Sequence, residues 1–537
     1  MPQLQESRPR PPGSRAHSLS VRAPWPVRAF SCSVRAVSQP GRITPEADGS
    51  GAWSAVLGWL RSHDGRLYAQ KEESPMSRRY VPAVLGLVAG ALVAVPVPAA
   101  QAATVQVRCS VPDLVAAINA ANSSPGPDTL RLTRKCTYRL TAPDPVNPGN
   151  GLPAIASDIT IDGRGATIRR DGRVNNVPKF RILFVGPTGN LTLTHTTISG
   201  GFATDCPAFP DPPGLACGGG ISNTGTMKVT RSKFIGNTAR SDVFAQGGAI
   251  DSPGTGSVSE TEVAGNHVIY SGSAAGGGAA GGAIANDGPL TVTRSRLTGN
   301  TASVTADTQS TAFAAGIISF AETTVEDTVI SKNRSFAPGG FARAAVSNGI
   351  PAPGRLTVTG GAISHNTSDA PHGVAQGGGI ANNGLMTVSK VQVGYNRAVA
   401  KDGTARGGGV RVGPFGTLDL TDSHITGNTA DAPNGTAQGG GLDNPDGGTL
   451  TARRNKVLRN TVTAKDGTAQ GGGLYHAGGT TGLGTTTLED NTITHNRAGD
   501  GGGIFKASGT LTLDGDVIRD NQPNNCSPTG AVPGCTG

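Results

Sequence analysis

Read only for its apolar and polar positions, the chain repeats one unit, L-x-V-x-x-x-x-I-x-x-N. Its asparagine falls at Asn237, Asn266, Asn300, Asn333, Asn366, Asn396, Asn428, Asn460, Asn496 and Asn521. Three residues earlier stands an apolar side chain, from Phe234 and Val263 to Ile493 and Ile518. Five and seven residues before that lies a second apolar pair, as in Met227/Val229, Leu290/Val292 and Leu418/Leu420. Leu191, Leu193 and Ile198 begin the series one copy earlier, with Gly200 in the asparagine place. A glycine-rich run precedes each copy and closes on one aliphatic residue: Ile221, Ile250, Ile284, Ile380, Val410, Leu442, Leu474 and Ile504. It decays to AAGI at Ile317 and RAAV at Val346.

From Ile221 to Ile504 nine intervals cover 283 residues, about 31 per repeat, the period of a solenoid, propeller or array. The apolar pair has the parity of a strand with one inward face, and the step of five to the next apolar residue breaks it, so a turn intervenes. Each repeat therefore reads as three short strands, separated by turns rich in Gly, Asn, Asp and Ser. Gly and Thr are poor helix formers, which disfavours helical arrays. Propeller blades run longer, at about 40 residues. The expected fold is all-β, a right-handed parallel β-helix of about 11 coils. Its aliphatic residues stack about 4.8 Å apart. Its asparagines line one corner, where Asn tolerates left-handed backbone and its amide bonds to the copies above and below. Length varies mostly between each asparagine and the next glycine run, as in KDGTA at Lys401 and Lys465. That side is expected to carry loops, often the binding face.

Residues 76–103 read as a secretory signal, with Arg78 and Arg79, an apolar run from Val81 to Val97, and Ala100-Gln101-Ala102 as cleavage site. Met76 is then the expected initiator, and residues 1–75 a non-native or disordered extension. Pro82, Pro96 and Pro98 interrupt the apolar run, so no membrane span is expected in the mature chain. The full chain has 46 basic and 37 acidic residues. Removing residues 1–103 takes away 12 and 6, leaving 34 against 31, so the basic balance gives no case for nucleic acid.

Six of the 7 cysteines remain in the mature chain as close pairs, Cys109/Cys136, Cys206/Cys217 and Cys526/Cys535, which suggests disulfides in a secreted protein. Their spacing offers no zinc pattern, and no cofactor or metal is expected. Open solenoid ends need covers. Residues 104–158 are expected to form an N-terminal cap, with a helix at 110–122 opened by Ser110 and Asp113. Residues 159–521 form the β-helix, and 522–537 a disulfide cap.

The GGAI runs with φ-x-x-N resemble the repeats of polymorphic outer membrane proteins and of secreted bacterial right-handed parallel β-helix repeat proteins. The stretches LVAAINAANSSPGPDTL and ITIDGRGATI are similar to the start of the latter. The resemblance covers about residues 109–537. It implies a pectin lyase-like fold, which hosts adhesins and polysaccharide enzymes alike. The outer membrane members carry a C-terminal barrel, and no barrel-type strands follow the last coil here.

Paired carboxylates would mark a glycosidase. Asp327, Asp422 and Asp490 are candidates, but all three occupy the place three before the core aliphatic. In coil order that place holds Arg231, Glu260, Arg294, Asp327, Gly360, Lys390, Asp422, Arg454, Asp490 and Gly515. The signs alternate, which reads as an exposed ion ladder. Polygalacturonase signatures, calcium nonapeptides and phosphate loops are missing. The residues before the asparagines, Lys332, His365, Tyr395, Arg459 and His495, read as a polar strip for sugars or a partner, with Tyr395 as a stacking platform. The expected protein is a secreted monomer that binds extracellular polysaccharide, cell envelope or host surface in an adhesin-like way, without catalysis. A polysaccharide lyase or glycoside hydrolase is the alternative, and a purely structural extracellular protein the third.

Overall fold

The computed structural model describes residues 102–172, 176–208, 213–349, 354–479 and 483–536. The expected extension 1–75 and nearly all of the signal segment 76–103 lie outside them. Within them the chain winds as a parallel β-solenoid. One coil shows the plan: Ile250–Ser252, Thr255–Ser259, Glu262–Ala264, His267–Tyr270 and Gly278–Ala280. The first strand joins a 12-stranded back sheet, the next two a 25-stranded wide sheet, and the last two join a 9-stranded sheet each.

Registers explain the apolar pattern. Val229 pairs with Val258, Phe234 with Val263 and Ile250 with Ile284, so the motif's aliphatic residues form continuous rows. These rows are solvent-free and make one core. Each aliphatic side chain so buried stabilises by about 1.5–3 kcal/mol.

Five strands per coil replace the three read from the sequence. The segment between asparagine and glycine run, expected to be loop, is mostly two strands that form an arm beside the main tube. Their middle residues are small: Ala239, Ala302, Ala398 and Ala430 on one sheet, Ala245, Ala312, Ala405 and Ala437 on the other. They pack as a second, separate apolar layer. An alanine buries about one methyl, roughly 0.8 kcal/mol, so each arm strand is held less strongly than a main-core strand. KDGTA at Lys401 and Lys465 supplies the turn at the arm's tip.

Where the arm rejoins the tube, the glycine run is sterically required. Gly439 has φ +63°, and a Cβ on Gly440 would stand 2.6 Å from the Gly472 carbonyl oxygen and 2.8 Å from that of Thr461.

The asparagines are fully buried. Asn366 Nδ2 donates to Asn396 Oδ1 at 2.9 Å and to the Ile330 carbonyl at 3.0 Å. Its Oδ1 accepts from the Asn333 backbone N–H and Nδ2, both at 3.0 Å. The left-handed residue is not the asparagine but the one before it: Lys332, His365 and Tyr395 have φ +57°. In the first copy Gly200 holds that left-handed place, and Gly201 takes the asparagine place, its N–H donating to Asn237 Oδ1 at 3.0 Å. A second, unanticipated ladder runs through the turn inside the wide sheet, where Thr261 N–H donates to Ser295 Oγ and Asn455 Nδ2 to Asn491 Oδ1.

Helix α1 spans Val111–Ser123, with Ser110 as N-cap accepting from the Asp113 N–H, and buries Leu114 and Ile118. The solenoid itself starts earlier than residue 159. Thr104–Val107, Asp128–Leu132 and Thr137–Leu140 already belong to the wide sheet, and the motif is simply absent from them. Disulfides join Cys109 to Cys136, Cys206 to Cys217 and Cys526 to Cys535. Cys526 and Val532 close the other end of the main core.

Asn366→Ala removes four buried side-chain hydrogen bonds at mid-solenoid and is expected to cost about 3 kcal/mol or more. A denaturant titration showing a loss below about 1 kcal/mol would contradict this account of the ladder.

Candidate functional site

Two turns per coil point side chains outward from left-handed backbone. The first lies inside the wide sheet and carries the charge row, with φ between +44° at Arg294 and +57° at Lys390. Gly360 and Gly515 hold the same place at φ +67°. The conformation suits glycine and tolerates polar residues, so the row alternates between them.

Stacking brings some of this row together. Arg231 Nε lies 2.8 Å from Glu260 Oε2, and Arg294 reaches Glu260 Oε1 at 3.5 Å. Arg454 grips Asp422 with two bonds of 2.8 and 2.9 Å. Those bonds hold the carboxyls of Glu260 and Asp422 below the usual range. Asp327 and Asp490 instead lie over Gly360 and Gly515 of the next coil. Asp422 and Asp490 are two coils apart with Arg454 between them, which is no geometry for a paired acid and base.

The second turn carries the strip. His365 and Tyr395 stack with centroids 5.2 Å apart and 23° between planes. Tyr395 is 59% exposed, but its ring also lies over Gly427 of the following coil. It therefore presents an edge and a hydroxyl more than an open face. Lys332, Arg459 and His495 keep the same left-handed backbone, and Gly427 holds the place between Tyr395 and Arg459, so the strip is interrupted there.

A concavity of about 590 Å³ opens at the N-terminal end of the charge row, lined by Arg134, Asp162, Arg164, Gly165, His195, Thr196, Thr197, Arg231 and Lys233. It exists because the first turns of this row are wider than the later ones: residues 132–136 stand opposite 163–166, and between Asp162 and Ala166 three residues stand opposite the single His195 between Thr194 and Thr196. Arg164 (φ +53°) and Lys135 (φ +56°) project from such turns. Lys233 pairs with Glu262 at 2.7 Å and His195 Nδ1 meets Thr194 Oγ1 at 2.9 Å. Arg134 and Arg164 are exposed and make no ion pair among the described residues. Arg231 and Lys233 are each matched by a glutamate, so the excess positive charge that suits the basin to an anion comes from Arg134 and Arg164, set against the single lining carboxylate of Asp162.

A buried polar seam runs where the second arm sheet faces the back sheet. Near its start Gln246 Nε2 donates to Asp251 at 2.9 Å and to Asp287 at 3.3 Å. Burial, and Asp287 beside it, push the Asp251 carboxyl well up. Further along, Arg406 bonds Asp446 at 3.2 Å, Arg411 bonds the same carboxylate, and burial pushes Asp443 up to about 7. The sequence reading missed both basin and seam. Arg134 and Arg164 precede the first copy of the motif, and Asp443 looks exposed unless the arm is known.

Among the described residues Cys206, Cys217 and Asp251 come close enough to share a metal ion. Both cysteines are consumed in a disulfide, so they offer no thiolate, and the set does not fit a metal.

No protein-family model matches the chain, and no curated protein matches its sequence. Among solved structures, the A-module of the Azotobacter vinelandii mannuronan C-5 epimerase AlgE6 is similar, at 15% identity and a TM-score of 0.42. That match covers 78% of this chain and 95% of the module.

Asp422→Lys places a cation between Lys390 and Arg454 and is expected to lower the melting temperature, with Arg454→Glu in the same chain restoring part of the loss. Unchanged melting in both would remove any stabilising role for the charge row.

Proposed function

We propose that this protein is a secreted, non-catalytic β-solenoid that binds an acidic extracellular polysaccharide, with the basin at Arg134, Arg164, His195, Arg231 and Lys233 as its anchoring point. The observation that carries the reading is the basin itself: a concave, open surface with two guanidinium groups that make no ion pair among the described residues. Guanidinium forks recognise planar carboxylates with two parallel bonds. Beyond the basin the wide sheet offers a long outward face set with hydroxyls, such as Thr192, Thr194, Thr230, Thr291 and Thr293, against which a chain can lie. Secretion is supported by three disulfides and by a signal-like segment. No described helix is long and apolar enough to cross a membrane.

The enzyme reading has one observation in its favour. Burial pushes Asp443 up to about 7, where a carboxyl can exchange a proton near neutral pH, with Arg406, Arg411 and Tyr475 around it, groups suited to a uronate. Its carboxylate has no exposed area, so a substrate has no path to it while the arm is seated.

Retention on polygalacturonate is expected to exceed retention on its fully methyl-esterified form and on a neutral glucan, and to weaken with salt. Arg134→Glu combined with Arg164→Glu should weaken it about tenfold while leaving the melting temperature unchanged. Equal retention on the neutral polymers would overturn the acidic reading, and release of unsaturated products would transfer the case to the enzyme.

A further inference from the structure

Asp443 follows the back-sheet aliphatic Leu442 and points away from the main core, in the same row as Asp251, Arg411 and Tyr475. The second arm sheet covers it, through Arg406 and Gln438. Its side chain has no exposed area, and neither carboxylate oxygen has a hydrogen-bond partner. Such groups are rare, and each calls for a physical reason.

The neighbours supply one. Arg406 from the arm and Arg411 from the preceding back-sheet strand both bind Asp446 in the following turn. Arg411 Nε stays 3.7 Å from Asp443, too far for a hydrogen bond. Tyr475, next along the row, is stacked on Phe505 at 5.7 Å. Two guanidinium groups thus share one carboxylate, and the second carboxyl is buried without a donor. Burial without a donor favours its neutral form there, against the pull of the two guanidinium groups nearby.

The cover above it is the least supported part of the arm. Thr468–Gln470 is the last strand of its sheet, held on its open side by the single bridge of Gln470 to Asp500 and packed through alanine. Segments with so little apolar contact open first.

We propose that Asp443 is a proton-operated latch: protonated, it lets the C-terminal end of the arm seat on the back sheet, and ionised, it drives that end away. The sign follows from linkage. The carboxyl is pushed from its ordinary 3.8 up to about 7 when the arm is seated, so the seated state holds the extra proton. Its contribution to seating is complete below the ordinary carboxylate range, declines as pH rises, and is gone above about 7.

Hydrogen exchange of the purified protein, corrected for intrinsic rates across about pH 5 to 8, tests this. Protection of Thr436–Gln438 and Thr468–Gln470 should fall several-fold with rising pH, while Thr449–Arg453 in the wide sheet stays flat. Asp443→Asn should keep those arm strands protected at every pH. Asp446→Asn, which removes the carboxylate that competes with Asp443 for Arg411, should keep the latch seated when Asp443 ionises and likewise flatten the profile. A flat wild-type profile, or the wild-type slope persisting in both variants, would overturn the proposal.

Discussion

A buried side-chain amide has two donors and two acceptor sites to satisfy, and coil-to-coil stacking gives each asparagine from Asn266 to Asn496 all four partners. One bond goes to the next amide, one returns to the carbonyl of a core residue in the coil before, and two arrive from the preceding asparagine. None of this works if a coil slips by one residue. The ladder therefore fixes register, and register fixes which residues enter the core. The bends depend on it as well. With the amide held inside, the residue before it must turn through left-handed backbone, and its side chain is sent outward.

The same constraint explains what was legible in the sequence. Rows that repeat in every coil, such as Phe234 with Val263 and Ile250 with Ile284, appear as a period and were readable. The arm repeats almost as regularly: alanine stands two before the positive-φ residue that opens the run, at Ala216, Ala245, Ala279, Ala312, Ala342, Ala375, Ala405, Ala437 and Ala469, with Gly499 in that place in the last copy. It escaped notice because small residues near glycine suggest loop. Here they are small because the two arm sheets meet through them in one buried layer.

The candidate sites follow a different rule. The charge row was visible as alternating sign at one register position, and the pairs Arg231–Glu260 and Asp422–Arg454 come from that spacing. The basin could not be read this way, because it arises where the repeat fails. The wide turn from Asp162 to Ala166 breaks the row and leaves a hollow beside it. A residue present in every coil is already committed to holding coils together. Ligand recognition is more easily placed where stacking is interrupted, and the basin sits at such an interruption.

The seam shows how a second interruption divides one surface into parts with different behaviour. Where the glycine run decays to Ala314 and Ala344, both held at positive φ, the seam turns apolar. Ala280, Ala285, Phe313, Ala314 and Ile318 pack there, with no ionisable group inside the cluster. That plug pins the middle of the arm to the tube by burial, which does not change with pH. The acids lie on either side of it. Asp251 stands where Gln246 and Ser222 hydrogen-bond it and where the Cys206–Cys217 disulfide and the buried Arg181, paired with the exposed Asp205, stiffen the coil. Asp443 lies beyond the plug with no hydrogen bond, under the arm's last strands. Two acids of similar burial thus face different outcomes when they ionise. Beside Asp251 the arm is held on both flanks and the charge must be absorbed locally, whereas beside Asp443 the arm ends in the single bridge of Gln470 to Asp500, so the same charge acts on a cover with far less to hold it.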